Sequence, residues 1–283
     1  MASFHLAVKT IGRSAGRSAT AAAAYRAGVE IADERTGIVH DYTRKQGIEH
    51  REIVAPADAP AWVQDRTALW NAAEQAETRK NSTVAREYEI ALPAELSADE
   101  RRTLTLDLAR EISERHGVAV DVAIHAPGRQ GDQRNHHAHL LTTTRRIGAE
   151  GLGEKTRELD QKTSGEVERW RARFAEMQNA ALERAQVHER VDHRSYQRQG
   201  IEQEATVHMG PGVVAMERRA EREAQREGRS ARGASMCRRR RSGSTTPAFS
   251  SGAACVSIST GVRSGCATWG SGCRIGCTGS RRC

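Results

Sequence analysis

No run of 18 apolar residues occurs anywhere in this chain, which excludes a membrane-spanning helix. The opening segment MASFHLAVKT lacks a basic start followed by an apolar stretch, so it is not read as a secretory signal. A cytoplasmic location without membrane insertion is the expectation. Aromatic residues make up 4% of the 283, and cysteine is missing from 1–236 altogether. That stretch therefore holds neither a disulfide scaffold nor a cysteine zinc site. All six cysteines (Cys237, Cys255, Cys266, Cys273, Cys277 and Cys283) fall in 237–283, without the paired C-x-x-C spacing of a zinc ribbon.

Acidic residues are the second absence. Segment 237–283 has eight arginines, no lysine and no acid, and so accounts for the whole net charge of +8. What remains over 1–236 is 36 basic against 36 acidic residues. Overall basicity thus says nothing about the body of the protein, and any nucleic-acid role must rest on local chemistry. Rich in Gly, Ser, Arg and Cys with little apolar periodicity, 237–283 is expected to be disordered, and its abrupt composition resembles translation in a shifted frame.

Residues 1–236 do show periodicity. FHLAVKTI alternates as a first strand, and SATAAAAYRAG reads as a short helix capped by Ser18 and ended by Gly28. GIVHDYTRK and IEHREIVAP flank Gln46–Gly47, a candidate hairpin turn. A helix follows with Trp62, Leu69, Ala73 and Ala76 on one face and Asp58 near its start. VAREYEIALP places Val84, Tyr88, Ile90 and Leu92 on one side of a strand, with Glu87 and Glu89 on the other. The next helix opens with a capping box, Ser97 and Glu100, and closes at Gly117. Two more strands, VAVDVAIHAP and HAHLLTTTR, precede a long helix whose stripe of Val167, Trp170, Phe174, Met177 and Ala181 reads as core packing. The expected class is α+β: a mainly antiparallel sheet with helices packed on one face, ending near residue 190. A charged helical extension over 191–236 would follow.

RNHHAHLLTTTR holds three histidines within four positions. On a strand, His137 and His139 point to one side and His136 to the other. His125 ends the preceding strand, so His125, His137 and His139 form a candidate metal site with open coordination positions, the pattern of a catalytic centre. The plainer alternative is a set of surface histidines on an exposed strand. Glu87 and Glu89 fit as groups that accept the second imidazole N–H, or else simply as a solvated strand face. Tyr25, among small residues and beside Arg26, is a candidate nucleophile if a cation polarises its target; otherwise it is a core aromatic. Imidazole ligands suit Zn²⁺ and Mn²⁺ better than Mg²⁺.

Taken in order, SFHLAVKTIGRSAGRSATAAAAYRAG, DYTRKQGIEH, AREYEIALP, VAIHAPG and NHHAHLLTTTR resemble the MobA/MobL family of plasmid mobilisation relaxases, a branch of the HUH endonucleases. VDHRSYQRQGIEQEATVHMGP extends the resemblance to about residues 2–225. The resemblance implies an HUH-type fold and a DNA strand nicked at an origin of transfer. Tyr25 would form a 5′-phosphotyrosyl adduct that is later rejoined. It also implies Mg²⁺ or Mn²⁺ on His125, His137 and His139, single-stranded origin DNA as partner, and accessory and coupling proteins. Arg26, Arg44, Lys45 and Arg145 are then candidate phosphate contacts. Two departures from the family pattern are His136, where proline is usual, and Ala138, small where the motif name asks for bulk. Three other functions compete: a rolling-circle initiator with paired tyrosines, a non-catalytic origin-binding protein, and a metallohydrolase that activates water.

Overall fold

Alternating side chains build the central sheet. The computed structural model describes residues 3–128, 132–202, 216 and 219–223. The chain divides into two units, Met1–Ala205 and Thr206–Cys283, and the sheet and all candidate residues lie in the first. Strands β1 (Leu6–Gly12), β4 (Ile48–Val54), β5 (Thr83–Leu92), β6 (Val120–His125) and β7 (His136–Thr143) form the sheet in the order β1-β5-β7-β6-β4. Every neighbouring pair is antiparallel.

The α+β class and antiparallel sheet agree with the sequence expectation, but the helices cover both faces and not one. Tyr88, Ile90, Leu92, Val120, Val122, Ile124 and Leu140 pack under α3 (Ala98–His116) and α4 (Glu166–Arg184). On the opposite face, Ala85, Ala119 and Leu141 meet α1 (Ala19–Ala27) and α2 (Arg66–Gln75). Strand β6 records this double cover, being buried at every position. Glu87 and Glu89 suggest a solvated face, yet α1 and α2 close the rest of it, with Asp121 buried against Arg66 and Trp70 of α2.

Three local expectations also change. Gln46–Gly47 does not close a hairpin. Instead β2 (Glu30–Asp33) pairs with β3 (Ile38–Asp41) around a turn ending at Gly37, whose φ is +70°. Asp33 sets that turn by accepting from Thr36 N at 2.9 Å and Thr20 Oγ1 at 2.6 Å. The cap of α2 is Asp65, which accepts from Ala68 N, while Trp62 precedes the helix and stays exposed. Val84 leaves the side of Tyr88 for the second core, because register skips it: Ile11 faces Ala85 and Gly12 faces Thr83.

The capping box at Ser97 and Glu100 and the left-handed stop at Gly117 are both formed. A short hairpin, β8 (Arg145–Gly148) with β9 (Gly151–Lys155), completes the sheets. Of the expected extension, residues 191–202, Met216 and 219–223 are described; α5 (Tyr196–Gln199) is one short helix, and Met216 and 219–223 are helical as well. The rest of it and the segment 237–283 lie outside the described residues. No helix among the described residues is long and apolar enough to cross a membrane.

Candidate metal centre

Register brings the three histidines together. His125 is the cross-strand partner of His137, and His139 lies two residues further along β7, on the same side. Their ring centroids are 4.9–5.3 Å apart, and one ligand atom from each lies within 4.8 Å of the others. One ligand nitrogen from each ring is thus available to hold a single ion.

The second nitrogen of each ring is committed. His125 Nε2 donates to the Arg26 carbonyl at 2.8 Å, His137 Nδ1 to the Asn135 carbonyl at 3.0 Å, and His139 Nδ1 to Glu87 Oε1 at 2.7 Å. These oxygens only accept, so each imidazole is fixed in one tautomer with its other nitrogen left as a lone-pair donor. Burial, helped by the nearby Lys45 charge, pushes His125 down to about 4, and burial also lowers His137. Both are therefore neutral at pH 7, the ligating form. The donor set fits a divalent ion.

Glu87 is almost completely buried. It accepts from Arg26 Nε at 2.5 Å and Arg26 Nη2 at 2.8 Å as well as from His139. Burial alone would raise its carboxyl, but the His139 and Arg26 bonds outweigh it and hold the group at about 2. Glu89 takes a different partner, Lys9, and among the described residues bonds to none of the three clustered histidines. His136 points to the other face, where Glu49 lies 3.7 Å away.

Helix α1 ends at this site. The last carbonyls of a helix have no partner within it; here the Tyr25 carbonyl accepts from Lys45 Nζ at 2.7 Å, that of Arg26 from His125, and that of Ala27 from Arg51 Nη1 at 2.9 Å. Gly28 then reverses the chain at φ +60°, where an added Cβ would lie 2.2 Å from Ile48 Cδ1. Basic side chains thus seat the negative end of the helix beside the imidazoles. The Tyr25 ring is 47% exposed, under Lys45 Nζ at 3.8 Å from its centroid and edge-on to Tyr42 at 5.2 Å. A groove of about 1040 Å³ opens alongside, between Lys9, Arg17, Arg35 and Lys80, with Tyr25 and Tyr42 in its wall.

The model of the MobA/MobL family matches residues 17–219. The chain belongs to the MobA/MobL family. It is 44% identical over 254 residues to "Mobilization protein MobL" of Acidithiobacillus ferridurans, covering 80% of this chain and 66% of that protein. It is 36% identical over 251 residues to "Conjugal transfer protein TraA" of Rhizobium radiobacter, covering 78% of this chain and 22% of that one. This MobA/MobL chain therefore spans less than two thirds of either relative. A solved structure described as "Molecular Basis of Vancomycin Resistance Transfer in Staphylococcus aureus" shares the fold at TM-score 0.62 and 32% identity, over 69% of this chain and 100% of that one.

Within this family member, the four candidate phosphate contacts are placed unequally. Arg26 is engaged by Glu87, Lys45 by the Tyr25 carbonyl, and Arg145 by Glu77 and the Gly153 carbonyl. Arg44 is exposed. Sequence reasoning did not single out Tyr42, Arg51 or the Lys45–Tyr25 contact. All three depend on a turn after β3 that folds back over the end of α1, and no periodicity announces it.

Proposed function

We propose that this protein is a relaxase, which nicks one DNA strand at a plasmid origin of transfer and later reseals it. One observation carries the reading. The turn of helix bearing Tyr25 is bonded through the next residue's carbonyl to His125, so an accessible phenol and the three imidazoles share one face of the sheet. The names of the relatives, a mobilisation protein and a conjugal transfer protein, agree with it.

Tyr25 Oη attacks the scissile phosphorus. A phosphorus–Oη bond forms, the bond to the 3′ oxygen breaks, the phenol loses its proton and the 3′ oxygen gains one. A 5′-phosphotyrosyl strand and a free 3′-hydroxyl result. One phosphodiester replaces another, so the reverse step reseals the strand at little cost. A divalent ion held by His125, His137 and His139, Mg²⁺ or Mn²⁺, would polarise the non-bridging phosphate oxygens. Glu87 keeps His139 in its ligating tautomer and neutralises Arg26. The cationic groove beside Tyr25 suits a single strand, with Arg17, Arg35 and Lys80 toward its phosphates and the tyrosines toward its bases. Accessory and coupling proteins, in the cytoplasm, complete the proposal.

Tyr42 supports a second reading. Sequence spacing gave Tyr25 no companion one turn along its helix, yet the Tyr42 ring, from the segment after β3, lies 5.2 Å away, so a second tyrosine is at hand for a paired-tyrosine replication initiator. Labelled origin DNA incubated with the protein and Mn²⁺, then denatured, distinguishes the two. A relaxase with one nucleophile loses the covalent adduct in Tyr25→Phe and keeps it in Tyr42→Phe. An adduct that survives Tyr25→Phe refutes the assignment, and free cleaved ends without any adduct would point to activated water.

A further inference from the structure

Lys45 is a candidate phosphate contact by charge alone, but its surroundings suit another task. Its Nζ donates to the Tyr25 carbonyl at 2.7 Å and sits 3.8 Å from the Tyr25 ring centroid. Its own backbone N–H closes a turn onto the Tyr42 carbonyl at 2.9 Å, and the Tyr42 ring meets Tyr25 edge-on at 86°. That turn is pinned to the segment just after α1, where Tyr42 N donates to the Val29 carbonyl at 3.2 Å. The ammonium is half-buried, and burial together with the Arg26 charge brings it down to about 8. A solvated lysine reaching for a phosphate has none of these contacts.

We propose that Lys45 is a positioning residue for Tyr25: with the edge of Tyr42, its ammonium holds the exposed phenol ring in the one rotamer that lines the groove beside Arg26 and Glu87. An exposed tyrosine at a helix end has more than one staggered χ1 well open to it. A cation on one ring face and an aromatic edge beside it favour a single well. The inference rests on Tyr25 as nucleophile, and it predicts loss of rate without loss of DNA binding.

Three measurements test it. In the metal-free protein without DNA, the Lys45 Hε resonances should lie upfield of the other lysines through the Tyr25 ring current and should lose that displacement in Tyr25→Leu. Unshifted resonances overturn the contact itself, whatever the fate of the nicking reaction. Lys45→Met should slow single-turnover adduct formation about two- to thirty-fold, the bias expected of a cation–ring contact. DNA affinity and its salt dependence should stay at wild-type values, and Lys45→Arg should recover most of the rate. If Lys45→Met instead weakens DNA binding and lowers the salt slope by about one ion, Lys45 is a phosphate contact and the proposal fails. A full rate in Lys45→Met also overturns it, leaving only a helix-end cap. Persistence of the adduct in Tyr25→Phe would refute the nucleophile while leaving the resonance result standing, so the two failures are distinguishable.

Discussion

Replacing Glu87 by Gln tests the electrostatic centre of the site, and its effect follows from the structure. A carboxyl held at about 2, against an ordinary 4.5, favours its ionised form in the folded state by about 3 kcal/mol. Little solvent discount applies, because the side chain is 3% exposed. The sign follows from the direction: folding lowers the group's proton affinity, so the stabilisation is complete above about pH 5 and is lost as pH falls toward 2. Glu87→Gln removes the charge and leaves Arg26 facing a neutral amide. Urea unfolding with a chelator present should find the variant about 2–3 kcal/mol less stable than wild type at pH 7. The gap should narrow to roughly 1–1.5 kcal/mol at pH 3 and to under about 0.5 kcal/mol near pH 2. Other buried carboxylates titrate in the same range, but they are common to both proteins and cancel in the difference. A gap that stays constant from pH 7 to pH 3 would refute the argument, since it would mean that Glu87 stabilises by shape and not by charge.

Two further substitutions probe the ligands and the helix end. His137→Ala removes one of three imidazoles from a partly exposed position; titration calorimetry should show Mn²⁺ affinity reduced at least tenfold, and the Mn²⁺-induced rise in melting temperature should vanish with it. Retention of that rise would mean the ion binds elsewhere. Gly28→Ala forces a Cβ into a φ of +60°, with the Ile48 Cδ1 methyl having to rotate away; a cost of about 1–2 kcal/mol in denaturant unfolding is expected, chiefly from the left-handed backbone, and an unchanged stability would refute that strain.

The parts of the site that lie on single elements were legible in the sequence. His137 and His139 share a side because strand periodicity is two, and Ser97 with Glu100 announces a helix start because both bonds close within four residues. Even His125 could be placed, since an apolar strand ending in histidine immediately before the pair's strand runs beside it if the connection is short. Glu87 and Glu89 were equivalent by the same logic: period two puts them on one face and cannot rank them. What separates them is partners on other elements, Arg26 from α1 for the first and Lys9 from β1 for the second.

The illegible part has one physical origin, the docking of α1 across the sheet. An alanine-rich helix carries a weak apolar signature, so its burial on the face that bears the glutamates leaves no clear trace in composition. Yet that docking turns Arg26 from a candidate DNA contact into a partner of Glu87, and converts the unpaired carbonyls of a helix end into acceptors for Lys45, His125 and Arg51. Those three bonds draw on donors 20, 99 and 24 residues away, distances at which no local pattern constrains pairing. The same bonds explain why a short helix serves here. Tyr25, exposed on a final turn whose alanines are buried, is contacted at both carbonyl and ring, so on the proposed reading the cost of ordering the phenol is met before a DNA strand arrives.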